Sequence, residues 1–299
     1  MQKRILAIHF SQTGQLTDII SNLTAPLIQA GHSVELVRVE PQEDFPFPWT
    51  GKSFFAVMPD CVTEMPAKIK PFQLKETNYD LIIFGYQAWF LSPSTTANAI
   101  LCHPSVMKVL ADTPVVTITG ARNMWIMAME RIKEKIKSAG GLLKGHIALT
   151  DNHANFVSFI TIFYWMFAGK KDRYLSIFPK PGVADEDIAG CSEFGKTINQ
   201  VLEGGNWDDL QPMLINQKAV QVKYRLMFIE RKAKKIFKVW AGIITKKKNR
   251  TPWLVAFKYY LIIALFVAAP IILTVDAIFF KPFLKKRISQ QLKYYSGVN

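Results

Sequence analysis

The first half of this 299-residue chain alternates short apolar runs with segments of helical periodicity. Near-continuous apolar runs predict five buried strands, at residues 3–10, 34–39, 80–85, 114–120 and 145–150. Apolar residues recur at helical spacing in four further segments, which predict helices at residues 15–30, 95–110, 124–139 and 185–202. Strands that are apolar on both faces and alternate with helices are typical of a parallel sheet covered on both sides. We therefore predict an α/β fold with a doubly wound, parallel, five-stranded sheet.

An insertion of about residues 151–183 separates the fifth predicted strand from the last predicted helix. It contains an apolar, aromatic run at residues 155–169. This run is too short to cross a bilayer and too aromatic for an ordinary surface loop. Two interpretations stay open, because the run fits either the wall of an apolar substrate channel or a segment that dips into a membrane.

The last part of the chain, residues 211–299, is predicted to be a helical extension to a first domain of residues 1–210. Residues 253–280 are apolar apart from three polar side chains, those of Lys258, Thr274 and Asp276. The uninterrupted apolar stretch 259–275 is at the lower length limit for a helix that crosses about 30 Å of hydrocarbon. Three placements fit: a spanning helix, a monotopic helix or hairpin at the bilayer surface, and a buried helix at the interface of a homodimer.

The charge is distributed unevenly between the two parts. Up to Gln217 the chain has 19 basic and 21 acidic residues, a net charge of −2, whereas from Lys218 onward it has 18 basic and 2 acidic residues, a net charge of +16. A basic tail of this kind meets either nucleic acid or an anionic membrane. Because the tail is also strongly apolar, we expect an anionic membrane surface as its partner and no nucleic acid.

The distribution of basic residues also predicts a location. Basic residues flank the apolar stretch on both sides and are more numerous on its N-terminal side. Because basic residues favour the cytoplasmic side of a membrane, the first domain is expected in the cytoplasm if the stretch crosses the bilayer. The start of the chain leads directly into a short strand and has no pattern of a signal peptide. We therefore expect the protein at the cytoplasmic face of the inner membrane of a bacterium. The three cysteines have no metal-binding spacing, so no metal site is expected.

The loop after the first predicted strand carries the strongest functional signal. Small hydroxyl residues and a glycine between a strand and a helix form an anion-binding site, called the anion seat below. The first N–H groups of the helix have no partner within it and can bind the anion. No Gly-Lys pair follows, so this is not a Walker loop. The loop resembles the S/T-x-T-G-x-T loop of flavodoxins, with an aliphatic residue in place of the last threonine. The resemblance implies phosphate contacts from Ser11, Gln12, Thr13, Gly14, Gln15 and Leu16. The alternative is an ordinary turn in which Ser11 or Thr13 caps the helix.

The ends of the third and fourth predicted strands carry two more loops. The first is similar to the flavodoxin loop that places an aromatic residue against the flavin ring, and its candidate cofactor residues are Tyr86, Gln87, Ala88, Trp89 and Phe90. The second has the position of the third flavin loop in that fold, and its candidates are Gly120, Ala121, Asn123 and Trp125. In open α/β sheets ligands bind beyond the carboxyl ends of the strands. The three ordered loops together predict an FMN site.

Two residues near this edge are candidates for the chemistry. Arg122 could stabilise negative charge on reduced flavin or bind a substrate oxyanion, or it could pair with a surface acid. His153 is the preferred proton-transfer residue because histidine titrates near neutral pH, although a single loop histidine is often inert. His9, beside the first loop, is expected to be a buried strand residue.

The chain as a whole resembles the bacterial dialkylresorcinol condensing enzymes of aryl-polyene and flexirubin-type pigment pathways. The resemblance is carried by Ser11 to Leu16 and by the stretch Trp89 to Pro93. It implies an FMN-dependent oxidoreductase that aromatises a lipid-like dialkylcyclohexanedione to a dialkylresorcinol. The alternatives are a membrane-associated NAD(P)H:quinone reductase, a flavodoxin-type electron carrier, and a membrane protein without catalysis on a flavodoxin scaffold.

Overall fold

The computed structural model describes residues 1–298, and a five-stranded parallel sheet forms its centre. In chain order the strands are β1 Arg4–His9, β2 Ser33–Arg38, β3 Leu81–Gly85, β4 Ala88–Trp89, β5 Ser92–Pro93, β6 Pro114–Ala121 and β7 Leu142–Thr150. The central sheet has the order β2-β1-β3-β6-β7, and β4 and β5 form a separate hairpin. Counting only the five sheet strands, this is the order 2-1-3-4-5 of the flavodoxin-like doubly wound fold. The predicted fold class is confirmed.

Helices cover both faces of this sheet and form the C-terminal extension. In chain order they are α1 Gln15–Gln29, α2 Gly51–Ala56, α3 Met58–Val62, α4 Thr95–Leu101, α5 Pro104–Leu110, α6 Ile126–Ser138, α7 Asn155–Ala168, α8 Asp185–Ala189, α9 Cys191–Gly204, α10 Leu210–Asn216, α11 Tyr224–Thr245, α12 Thr251–Ile263, α13 Ala269–Val275 and α14 Lys285–Ser296. The π-helical turns Ala264–Ala268 and Asp276–Phe280 follow α12 and α13. The chain is therefore helical without a break from Thr251 to Phe280, and this stretch is called the apolar helix below.

Two segments predicted as single helices are each divided into two helices in the structure. The segment 95–110 forms two helices because Pro104 lacks an N–H and forces the preceding His103 into an extended conformation. The segment 185–202 also forms two helices, which meet at Gly190. On both sides of each break the apolar side chains still pack on the sheet, so the fold is unchanged.

The two faces of the sheet are packed by different helices. On one face α1 and α9 bury Ile19, Leu23 and Ile198 against the strands, while on the other face α4 and α6 bury Ile100 and Ile132. All of these side chains are shielded from solvent, as the helical spacing in the sequence predicts. The packing holds the carboxyl ends of β1, β3 and β6 side by side at one edge of the sheet.

The predicted domain boundary after residue 210 lies inside a packed region. Leu210 and Leu214 of α10 are fully buried against β7, and the backbone N–H of Ala148 in β7 donates to the carbonyl of Ala219 at 2.8 Å. Residues 210–222 therefore belong to the sheet domain, because apolar residues of α10 complete its core. The sheet domain, residues 1–222, is called the head below, and residues 223–298 are called the extension.

The extension packs on the head through a third apolar cluster. Phe257 of the apolar helix is buried among Phe55 of α2 and Phe237 of α11. Within residues 1–298, the apolar helix is the one helix long and apolar enough to cross a membrane, by length and composition alone, with a mean hydropathy of 2.6 in its most apolar window. The helix of the insertion, at 156–168, is shorter.

Candidate functional site

The loop between β1 and α1 presents unpaired backbone N–H groups. Gly14 has φ +89°, a left-handed conformation that favours glycine, and it turns the chain into α1. Among the described residues, the backbone N–H groups of Thr13, Gly14 and Gln15 donate no hydrogen bond. Together with the positive end of the helix dipole, these groups form an anion seat.

Two of the predicted phosphate contacts lie away from this seat. The hydroxyl of Ser11 is buried and accepts the backbone N–H of Leu16 in the first turn of α1 at 3.2 Å, but the N-cap residue of this helix is Gly14 and neither Ser11 nor Thr13. The side chain of Leu16 is buried in the core between α1 and the sheet. The carbonyl of Ser11 accepts a hydrogen bond from Arg38 at 3.2 Å, which fixes the start of the loop.

The glutamines of this loop are held by neighbouring segments. Gln12 accepts a hydrogen bond from the indole N–H of Trp49 at 3.2 Å, and Gln15 accepts the backbone N–H of Val183 at 3.2 Å. These contacts tie the loop to the long connection after β2 on one side and to the end of the insertion on the other. The seat is thus shaped by segments distant in sequence.

The loop after β3 forms a tight hairpin. Ala88 and Trp89 in β4 pair with Ser92 and Pro93 in β5 through a two-residue turn whose central residues, Phe90 and Leu91, both have positive φ. This is the conformation of a type I′ turn, which bulky residues adopt only under strain of about 1–3 kcal/mol each. Tertiary contacts oppose the strain, because the ring of Phe90 packs on Phe54 with centroids 4.8 Å apart.

Trp89 lies in an aromatic cluster at the mouth of the site. Its ring meets Phe10, Phe45 and Trp49 edge to face, with centroids 6.0, 5.0 and 5.7 Å away. Edge-to-face contacts hold an aromatic ring in a defined orientation. Trp89 is half-buried, so part of its surface faces the cavity described below.

Tyr86 and Trp125, two predicted cofactor residues, lie in the core below the loops. The ring of Tyr86 is fully buried and lies parallel to those of Phe84 and His146, while Trp125 packs on His146 with centroids 4.8 Å apart. Both therefore support the loops from beneath and line neither of the cavities described below. The structure corrects their predicted position, because both side chains are buried in the core.

The end of β6 and the loop after it contribute a glycine and a half-buried arginine. A Cβ atom at Gly120 would lie 2.9 Å from the terminal methyl group of Ile19, so a larger residue here requires the Ile19 side chain to shift. Arg122 lies over the ring of Phe159 at 5.8 Å. Burial lowers the pKa of Arg122 to about 10, while the nearby Asp151 carboxylate acts in the opposite direction. Arg122 is therefore a desolvated cation at neutral pH.

A cavity of about 300 Å³ lies where the three loops meet. Residues from all three loops line it, namely Gln12, Thr13, Gln15, Gln87, Ala88, Trp89, Phe90, Gly120, Ala121 and Arg122. The side-chain oxygen of Gln87 is buried and has no hydrogen-bond partner among residues 1–298. A buried acceptor without a donor is costly unless a ligand supplies one. The cavity is called the loop cavity below.

The remaining walls of the loop cavity come from the connection between β2 and β3, which the sequence did not single out, and from α7, whose apolar run was one candidate for a channel wall. Phe47, Trp49 and Phe54 reach it from the connection between β2 and β3, and Trp165 and Met166 reach it from α7. The backbone N–H of Trp49 donates to the carbonyl of Met166 at 2.8 Å, so the two covering segments are joined. The aromatic and proline-rich stretch 45–49, in the connection after β2, is the sequence signal that could have revealed Phe47 and Trp49.

A larger, apolar cavity of about 670 Å³ adjoins the loop cavity. The two share Phe54, Ala88, Phe90, Ala121, Arg122 and Phe163 as lining residues. The other walls of the larger cavity are Phe159 and Phe167 of α7, Asn123 and Met124 of the third loop, and Leu261 and Leu265 of the apolar helix. The cavity is called the apolar cavity below, and its charged lining residues are Arg122 and Lys258.

His153, the predicted proton-transfer residue, lines neither cavity. Its backbone N–H and its imidazole both contact one carboxylate oxygen of Asp151, at 2.9 and 2.7 Å, and the ring is partly exposed. Asp151 is itself buried and accepts a further hydrogen bond from Ser158. These contacts hold His153 at the surface, so the structure does not bring it to the candidate site.

His9 is a buried strand residue, as expected. Its imidazole makes a hydrogen bond of 2.9 Å with the hydroxyl of Thr17, and burial together with the charge of Arg38 lowers its pKa to about 4. It is neutral at physiological pH and links β1 to α1 beneath the first loop. No group of three or more metal-ligating side chains is found within the described part of the chain.

Comparisons with known proteins found solved structures that have low sequence identity to this chain. No protein-family model matches this chain, and no curated protein matches it. A flavoprotein in complex with FMN from Lactobacillus acidophilus NCFM is 16% identical, covers 49% of this chain and 93% of its own, and has a TM-score of 0.41. A flavoprotein from Bacteroides eggerthii DSM 20697 is 19% identical, with coverage of 56% and 100% and a TM-score of 0.39. A flavodoxin from the domain Archaea is 10% identical, with coverage of 67% and 99% and a TM-score of 0.37. The fold assignment rests on the strand order of this chain.

Proposed function

We propose that this chain binds FMN and is an oxidoreductase that acts on an apolar, lipid-like substrate. One observation carries the proposal: the loops after β1, β3 and β6 line a single cavity, and that cavity shares a wall with a larger apolar cavity. The first cavity offers an anion seat and aromatic walls, and the second offers room for an apolar molecule. A cofactor and a substrate can thus lie side by side.

The residues of the loop cavity fit FMN. The N–H groups of Thr13, Gly14 and Gln15 would bind its phosphate at the N-terminus of α1. The buried oxygen of Gln87 would accept a hydrogen bond from an N–H of the ring system, and Trp89 would contact the ring. Phosphate recognition through amides and a helix dipole needs no lysine, which agrees with the absence of a Walker motif.

Arg122 is the residue with the clearest chemical role. FMN supplies two-electron redox chemistry when bound. Arg122 lines both cavities, so its guanidinium would stabilise negative charge that develops on either cofactor or substrate. Burial strengthens this effect because the surroundings screen charge less than water does.

For the substrate, we propose a dialkylcyclohexanedione that is oxidised to a dialkylresorcinol. The ring would lose two hydrogens, one as a hydride and one as a proton, and an electron acceptor such as oxygen would complete the turnover. The apolar cavity supports a substrate with alkyl chains, and the sequence resemblance to dialkylresorcinol condensing enzymes supports this ring chemistry. An anionic membrane at the cytoplasmic face would be the source of such a substrate.

A quinone is the second candidate, since it would also fit the apolar cavity and Arg122 could bind its carbonyl oxygen. Electron carriage to a protein partner has less support. The segments with Trp49 and Trp165 cover the loop cavity and are joined by a backbone hydrogen bond, which restricts direct docking of a protein at the cofactor.

FMN binding is tested by placing a negative charge in the anion seat. Thr13→Asp is expected to weaken FMN binding at least tenfold, because a carboxylate at this point repels the phosphate while it favours the helix dipole. Ser21→Asp on the exposed side of α1 is the matched control and is expected to bind FMN normally. Absorbance spectra and the amount of released FMN are the measurements. Wild-type protein that stays colourless with added FMN would contradict the proposal.

The substrate class is tested separately with the FMN-loaded protein. Anaerobic bleaching of the flavin absorbance by a dialkylcyclohexanedione, with a resorcinol as product, supports the aromatase. Bleaching by NADPH followed by reoxidation with a quinone supports the reductase and overturns the aromatase. A stable semiquinone without turnover of either substrate would indicate an electron carrier.

A further inference from the structure

The apolar helix meets the rest of the protein near its start, in its first half and near its far end. Phe257 near its start is fully buried in the third apolar cluster, and Leu261 and Leu265 form a wall of the apolar cavity. At its far end Asp276 is buried and accepts a hydrogen bond of 2.9 Å from the hydroxyl of Tyr224 in α11. A helix that crosses a bilayer would leave the head behind, and most of its residues would make no contact with the head or with α11.

The opposite face of the apolar helix is exposed and apolar. Its exposed apolar side chains include Val255, Tyr259, Ile263, Val267, Ile271 and Val275, which follow one another at four-residue intervals and are called the stripe below. Few residues of the most apolar window are buried. A contiguous apolar surface of this length marks a site of interaction with a membrane or another protein. The one acidic residue of the helix, Asp276, is turned away from this face.

Both ends of the apolar helix return to the same head. Before it, α11 is fixed to the head by Glu230, which accepts the N–H of Met127, and by Lys234, which donates to Ser92. After it, α14 is fixed to the head at three points. The hydroxyl of Tyr294 donates to Glu130 at 2.9 Å, Lys133 donates to the carbonyl of Gly297 at 3.0 Å, and Gln211 donates to the carbonyl of Ser296 at 2.8 Å.

This connectivity decides between the placements of the helix. Thirty helical residues span about 45 Å, more than the roughly 30 Å of a hydrocarbon core. If the helix crossed the bilayer, α14 would emerge on the side opposite to the head, and its contacts with Glu130, Lys133 and Gln211 could not form. We infer that the apolar helix lies in the plane of the membrane surface as a monotopic anchor, with α11 and α14 on the same side.

The charge around the exposed face identifies an anionic bilayer as the partner. Exposed basic clusters flank the stripe at both ends, at residues 246–250 before it and at 281–287 after it. In an in-plane helix both clusters lie at the level of the lipid head groups, where each basic residue attracts anionic lipid. A second copy of this chain would bring two such clusters together and would be repelled.

The same geometry places the apolar cavity at the lipid surface. Phe266 of the apolar helix packs on Phe159 of α7 with ring centroids 5.3 Å apart, and both residues line the cavity. Phe156, one turn before Phe159, is exposed and extends the apolar surface onto α7. The inference rests on the contacts of the extension and does not depend on FMN.

Cysteine labelling tests the topology with the full chain in an expressing bacterium. The exposed Cys102 is replaced by serine, and single reporters are introduced as Gln2→Cys in the head and Gln290→Cys in α14, both at exposed positions. A membrane-impermeant maleimide is expected to label both reporters in inverted inner-membrane vesicles and neither in spheroplasts. Labelling of Gln290→Cys in spheroplasts alone would show a spanning helix and overturn the inference.

Flotation with vesicles tests the partner. Purified protein is mixed with vesicles of 70% phosphatidylcholine and 30% phosphatidylglycerol, in which the variants Val267→Glu and Ile271→Glu are each expected to bind at least tenfold more weakly. Ile28→Glu, at an exposed apolar position on α1, is the matched control and is expected to bind like wild type. Unchanged binding of both stripe variants, or a soluble dimer that does not float, would overturn the inference.

Discussion

The side-chain oxygen Oε1 of Glu230 accepts the backbone N–H of Met127 at a distance of 2.7 Å. Met127 lies in the first turn of α6, directly after the third loop, so a residue of the extension caps a helix of the head. Four residues later in α11, Lys234 donates to Ser92 in the hairpin of the second loop at 2.6 Å. The extension therefore positions two of the three loops that line the loop cavity.

Replacement of Glu230 by glutamine is expected to change the pH dependence of stability. Burial raises the pKa of Glu230 to about 8, from 4.5 for an ordinary glutamate. Between these values the folded protein holds a proton that the unfolded chain releases, so the free energy of unfolding falls as pH rises, by about 1.4 kcal/mol per pH unit for a fully shifted group. Glu230→Gln lacks this proton and is expected to lose less stability between pH 5 and 8, as measured by urea unfolding in detergent.

Glu43→Gln is the control for that measurement, because it changes the same residue type at an exposed position of the head. Its unfolding free energy is expected to follow the wild-type pH profile. Parallel profiles for wild type and Glu230→Gln would contradict a protonated, buried carboxyl at position 230.

Substitution of Arg122 is expected to affect turnover more than cofactor content. Arg122→Gln removes a desolvated cation that lines both cavities and should lower kcat/KM about 10²–10³-fold, the usual effect of losing one charge-stabilising group. Since the pKa of Arg122 is lowered to about 10, wild-type activity should also fall as pH rises above that value. Steady-state kinetics with FMN-loaded protein measure both effects.

His153→Ala is expected to leave kcat/KM within about twofold of wild type. The residue lies at the surface beside Asp151 and lines neither cavity, so it has no route to the substrate. A loss of tenfold or more, with a changed pH profile, would show that the protein rearranges to bring His153 to the site.

Filling the apolar cavity is expected to weaken substrate binding selectively. Leu261→Trp places a larger side chain in that cavity and away from the loop cavity, so KM for a long-chain substrate should rise about tenfold while FMN affinity is unchanged. Ile263→Trp, on the exposed face of the apolar helix, is the control and should leave KM unchanged. Equal effects of the two variants would argue against the cavity as the substrate site.

Neutralising the second basic cluster is expected to weaken membrane binding in a salt-dependent way. With Lys285, Lys286 and Arg287 replaced by glutamine, binding to anionic vesicles should drop by about 3 kcal/mol at low salt, roughly 100-fold, because each basic residue contributes about 1 kcal/mol. Binding to vesicles of phosphatidylcholine alone should change little. Flotation at two salt concentrations measures the difference, and a uniform loss on both lipids would point to misfolding instead.

Local sequence signals predicted the strands and most helices because each carries its own periodicity. Residues 5–8 and 81–84 are apolar without interruption, and the strands that contain them, β1 and β3, each have a neighbouring strand on both sides. The predicted continuity of helix 95–110 is wrong because Pro104 breaks the helix although the apolar spacing continues through it. The connection between β2 and β3 has no strong periodicity, so its contribution to the site was missed.

The sequence by itself determined the α/β fold, the order of the three loops and the contrast between a near-neutral head and a basic, apolar extension. These features follow from periodicity, glycine positions and charge, which are local properties. Only the tertiary structure decided that Ser11 and Leu16 are buried in the core, that His153 is remote from the cavities, and that Glu230 caps α6. It also brought α14 back to the head, which fixes the proposed placement of the apolar helix. Such relationships depend on which distant segments pack together, and packing of side chains across a hundred residues leaves no periodic signal in the chain.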